Sequence, residues 1–134
     1  MLKYLLSNPC HISSIIMIIN LPFTIYKKNN IFLLTQIPLL SSTIIYHNHF
    51  KCIKNIKEID IFLGQLAYWH HMYYAFYFNN LLTTYCYIVC PLFYLLSKYY
   101  EKKEKIYISN FFHSFIHIFL TCGTISLNYQ LTNI

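Results

Sequence analysis

Few side chains in this 134-residue sequence can do chemistry, and they are spaced unevenly. His113 and His117 stand four residues apart. On a helix they project from one face, one turn from each other. An H-x-x-x-H pair can place two imidazoles on one metal ion. His47, far upstream, offers a third imidazole, and Asp60 is the only acid that abuts an apolar run. Three imidazoles with a carboxylate and a water make a catalytic zinc site. Hydrogen bonding between helices is the plainer use of the same residues. Chemistry therefore turns on whether the chain brings these positions together.

The elements that must do so are apolar. Hydrophobic residues make up 57% of the chain and charged residues only 10%, against roughly 25% charged in ordinary globular proteins. The charges sit at Lys3, at Lys27 and Lys28, between Lys51 and Asp60, and between Lys98 and Lys105. Between them lie charge-free runs over 4–26, 29–50, 61–97 and 106–134. A soluble enzyme, a coiled coil or a disordered tail would need charges on nearly every element. This pattern indicates an all-α, polytopic membrane protein in a single domain over 1–134. Mean hydropathy is a modest +0.42 because Tyr and Asn are abundant.

The net charge of +6 raises the question of nucleic acid. Arg is absent, and the lysines cluster at the ends of apolar runs, which is where membrane proteins place them. A nucleic-acid partner is not expected; membrane lipid is. The five cysteines are odd in number and form no C-x-x-C, so no disulfide framework is implied. Cys86 and Cys90, one turn apart, read as packed thiols. The first apolar run has no small-residue cleavage site and reads as a retained span.

About 20 apolar residues cross a bilayer. The runs divide into five spans, near 5–25, 31–49, 60–78, 81–97 and 106–126, with Asn79-Asn80 turning the chain inside the 37-residue run. Four spans result if the first segment lies in the interface. Eight of the ten lysines then fall on one side of the membrane, which predicts a cytoplasmic N-terminus. On that side, His47 closes the second span, Asp60 opens the third, and His113 lies about 12 Å along the fifth from Lys105. The topology, set by lysines alone, thus brings a His, an Asp and a His pair to similar depth.

The segment Phe112-His113-Ser114-Phe115-Ile116-His117 through Gly123-Thr124 resembles the last-helix motif of the haemolysin III and progestin/adipoQ receptor families. Ile59-Asp60 with Gly64 resembles their third-helix opening. Ser42-Thr43 through His47 resembles their second-helix motif, a Ser one turn before a His. With the alkaline ceramidases these families form the CREST superfamily of seven-span proteins. The resemblance covers three patches, about a quarter of the chain. It implies zinc held by His47, His113 and His117, with Asp60 and Ser42 or Thr43 holding or activating a water. It also implies hydrolysis of lipid amide or ester bonds. The family spacing puts Thr43, not Ser42, one turn before His47, and His49 is an alternative ligand. Five spans instead of seven remove wall from a lipid cavity but keep the directions of the motif helices.

The alternative is a non-enzymatic multi-pass protein: a scaffold, a viral envelope component or a degenerate relative. In it the histidines serve interhelical hydrogen bonds, each worth about 1 kcal/mol. His71, eleven residues past Asp60, reads as such a bond, and Trp69 reads as packing. His11 has no evident partner, and Lys98 to Lys105 reads as a solvated loop.

Overall fold

Backbone N–H and C=O groups in apolar surroundings must bond one another, and an apolar run does this most simply as a helix. The computed structural model describes residues 9–28, 30–47 and 55–131; side chains are described within these ranges except for 9–11 and 47. Among the described residues every regular element is an α-helix. They are α1 (Pro9–Ile18), α2 (Asn20–Tyr26), α3 (Asn30–His47), α4 (Ile56–Tyr77), α5 (Leu81–Lys102) and α6 (Ile106–Leu131).

The first expected span is broken. Pro22 lies in the first turn of α2, where a missing N–H costs least. It can give no hydrogen bond to the Ile18 carbonyl, and α1 ends there. Pro38 and Pro91 sit inside α3 and α5, which continue through them. The Asn79-Asn80 turn forms as the sequence indicates. Asn79 takes a left-handed φ of 52°, a conformation that Asn tolerates better than most residues. The Asn80 side chain caps α5 by accepting from the Thr83 N–H at 2.9 Å. Helix α5 runs to Lys102, past the apolar stretch, so much of the tract expected as a loop is its last turn. There Lys98 pairs with Glu101, and Lys57 of α4 lies 3.7 Å from the same carboxylate. Pairs this exposed contribute little stability.

Side-chain pairs fix the directions of the helices. Met17 meets His117, and Thr24 meets Asn128, so α1 and α2 run parallel to α6. Thr43 meets Asp60, and α3 opposes α4. His71 reaches Thr124, and α4 is parallel to α6. The chain therefore alternates up and down, treating α1 and α2 as one pass. The closest packing, between α5 and α6, follows from a glycine. A Cβ on Gly123 would lie 2.5 Å from Tyr87 Cε2, so only glycine lets the two helices approach this closely.

The burial pattern is the reverse of a soluble protein's. Thr24, Thr83 and Asn128 are fully buried, and Ser13, Ser42, Thr43, His71, Ser97, Ser114 and Thr124 nearly so. Leu34 and Leu81 are 76% and 83% exposed, as are whole faces of Ile, Leu, Phe and Tyr on each helix. Water would penalise so much continuous apolar surface, whereas lipid tails would not. Hydroxyls and small side chains on the inner faces let helices pack closely and bond one another. Two helices, α5 and α6, are long and apolar enough to cross a membrane by length and composition. The other apolar stretches, Ile12–Tyr26 and Asn30–Tyr46, are shorter. Helix α4 has the length, but Lys57, Glu58, Asp60 and its histidines lower its hydropathy.

Candidate functional site

Of the positions singled out in the sequence, Ser42, Thr43, Asp60, His113 and His117 come together around one cleft. Helices α3 and α4 run antiparallel, which sets the second half of α3 beside the first turns of α4. There the Thr43 hydroxyl donates to Asp60 Oδ1 at 2.7 Å, and Ser42 Oγ lies 2.8 Å from the same oxygen. Ser42 also lies 2.9 Å from the Leu39 carbonyl, which competes for its proton. Thr43 is therefore the firmer donor, and both hydroxyls take part where the sequence left the choice open. Among the described residues no cation pairs with Asp60, so hydroxyls alone hold this half-buried carboxylate.

Asp60 and Thr43 open on a cleft of about 410 Å³ that His113 and His117 line from α6. The two imidazoles lie 5.0 Å apart between ring centres, as one helical turn requires. His117 is buried, and its Nδ1 lies 2.7 Å from Met17 Sδ on α1. Thr43 and His47 stand one turn apart on α3, so the backbone register puts His47 on the helix face that meets Asp60. The His47 side chain, and all of His49, lie outside the described residues. Among the described residues no three His, Cys, Asp or Glu side chains come close enough to hold a metal ion. The described donors toward the expected zinc are thus two imidazoles on one wall of the cleft and a carboxylate on the other.

The rest of the cleft is mostly apolar, with Leu39, Ile61, Ile116 and Leu120 beside Tyr68, Trp69 and Tyr94. Such a lining with a few convergent polar groups is the usual form of a small-molecule site. Tyr68, Gln65, Tyr94 and Met17 were not singled out by sequence. Of these, Gln65 alone carries a signal in its residue type, an amide in a charge-free apolar run; its offset of five residues from Asp60 is not a same-face spacing. Trp69, expected to pack, is 69% exposed, touches Tyr68 edge-on and stands at the cleft. Gly64, one turn past Asp60, also lines it. A Cβ there would meet only Leu39 Cδ1, at 3.8 Å, so packing does not demand a glycine.

His71 behaves as an interhelical hydrogen-bonding residue. Its Nδ1 pairs with the Tyr87 hydroxyl, which lies 2.9 Å from Thr124 Oγ1. This chain of contacts ties α4, α5 and α6 together. His70 packs edge-on against Phe32 and Tyr74. The Cys90 thiol donates to the Cys86 carbonyl at 3.2 Å, and the two cysteines are unbridged, packed thiols.

No protein-family description matches the sequence, and no curated protein or solved structure is similar to it. The CREST resemblance is therefore an expectation drawn from the motif residues of this chain, with no matching protein behind it.

Proposed function

We propose that the chain is a CREST-like, five-span membrane protein that hydrolyses an amide or ester bond of a membrane lipid, with its N-terminus in the cytoplasm. The observation that carries this reading is the hydroxyl-held carboxylate of Asp60 facing His113 and His117 across one apolar cleft. The apolar outer surface and the alternating helix directions support the membrane setting. Zinc on His47, His113 and His117 would supply a Lewis acid and lower the pKa of water at the site.

The chain's own residues have distinct tasks. Thr43 and Ser42 occupy Asp60 Oδ1, which fixes the carboxylate and leaves Oδ2 to accept a proton from water. Met17, against His117 Nδ1, limits the turning of that imidazole. Leu39, Ile116, Leu120 and the aromatic rings give an acyl chain an apolar seat and keep bulk water from the polar wall. Lys57, Lys98 and Glu101 gather at one end of α4 and α5, the kind of charged end that membrane proteins keep at headgroup level.

Two contacts favour the scaffold alternative. His71 Nδ1 is engaged in a structural network, and His117 touches Met17, as a packing histidine would. Catalysis separates the two readings. Wild-type protein extracted from carbonate-washed membranes should hydrolyse a long-chain N-acyl lipid or its ester analogue in mixed micelles. His113→Ala should lose that turnover while keeping its helical circular dichroism. A folded wild type without turnover on either lipid, in the presence of zinc, would favour the scaffold.

A further inference from the structure

A second, smaller cavity of about 30 Å³ adjoins the cleft and shares Met17, Leu39, Tyr68 and Leu120 with it as walls. Asn20, Gln36, His71 and Thr121 contribute to its lining. All four are more than nine-tenths buried. Each carries an atom with no hydrogen-bond partner among the described residues: Asn20 Oδ1, Gln36 Nε2, His71 Nε2 and Thr121 Oγ1. They come from four different helices, α2, α3, α4 and α6. Buried polar atoms are almost always bonded, and in hydrocarbon an unbonded one is especially costly. Four around one cavity call for a shared partner.

Neighbouring contacts hold two of these groups in place. Thr24 Oγ1 lies 2.9 Å from Gln36 Oε1, which leaves the amide Nε2 turned away from that contact. The Tyr87 hydroxyl, 2.5 Å from His71 Nδ1, holds the ring so that Nε2 is the nitrogen left over for the cavity. The set is then an amide N–H donor, a carbonyl acceptor, and an imidazole nitrogen and a hydroxyl that can each serve as either. A cation would face the Gln36 N–H, and an anion would face the Asn20 carbonyl. Water donates and accepts equally, and the volume suits one or two molecules.

We propose that this cavity is an internal water site, in which one or two ordered waters bridge Asn20, Gln36, His71 and Thr121 and so join α2, α3, α4 and α6 beside the cleft. The site does not depend on the hydrolytic reading; a chain with no metal and no turnover would hold the same water. Infrared spectra of the full chain in lipid bilayers test it, compared between ordinary and oxygen-18 water. Internal water should give O–H stretching bands that shift with the isotope. Thr121→Val, which preserves shape, should diminish these bands, and the Gln36→Leu/Thr121→Val chain should lose them. His113→Ala should keep them. The proposal is overturned if wild type shows no isotope-shifted internal band, or if a folded Thr121→Val chain keeps all of its bands. Should the double variant fail to fold, Thr121→Val alone decides.

Discussion

Asp60→Asn should slow lipid hydrolysis by about 10²–10⁴-fold, the range lost with a general base, and should leave zinc content unchanged. Asparagine keeps the shape of the carboxylate, and its carbonyl oxygen can still accept from Thr43 and Ser42. The contacts between α3 and α4 therefore survive, while the atom that would take a proton becomes an amide. A merely structural Asp60 predicts something else: small changes in thermal stability and a rate within about threefold of wild type. Measuring kcat and KM separately sharpens the comparison. A general base acts in the transition state, so the loss should fall on kcat, with KM little changed.

Gly123→Ala should destabilise the bundle by about 1–3 kcal/mol through overpacking, read as a lower melting temperature in micelles. The sign is informative. Inside an exposed helix, alanine is more favourable than glycine by about 1 kcal/mol, so without a clash the substitution would stabilise. Here the new Cβ would lie 2.5 Å from Tyr87 Cε2 and 2.9 Å from Cδ2. Tyr87 is 1% exposed, and its hydroxyl is held by His71 and Thr124, so the ring cannot swing aside without breaking those bonds. Adding Tyr87→Leu should recover part of the loss, because the smaller side chain leaves room for the methyl group. If Gly123→Ala melts at or above the wild-type temperature, the close approach of α5 and α6 is wrong.

What the sequence made legible follows from where the chain places charge and polarity. Lysines interrupt the apolar runs, so they located the helix ends to within a few residues; the Asn79-Asn80 turn was clear because Asn accepts a left-handed backbone. Two Asn side chains in an unbroken apolar run have few other uses. The break between α1 and α2 was harder to see. Pro22 near the end of a span looks tolerable, and only the helix register shows that it leaves the Ile18 carbonyl without its bond.

At the site, Asp60, Thr43, Ser42, His113 and His117 were all legible, because polar groups stand out against apolar sequence. Their shared cleft follows from the relative directions of α3, α4 and α6. The other residues of the cleft are not visible in sequence, since Tyr68, Tyr94 and Met17 are of the same apolar and aromatic types as the outward-facing residues of the helices. The polar cavity beside the cleft escaped for a different reason. Asn20, Gln36 and Thr121 each come from a different helix, and no spacing connects them.

Metal content of the wild-type chain, purified without chelator, is the deciding observation for the hydrolytic site. About one zinc per chain is expected, falling to near zero in His113→Ala and unchanged in Asp60→Asn. A metal-free wild type that is folded and monodisperse would contradict the zinc-dependent reading and leave the histidine pair a structural role.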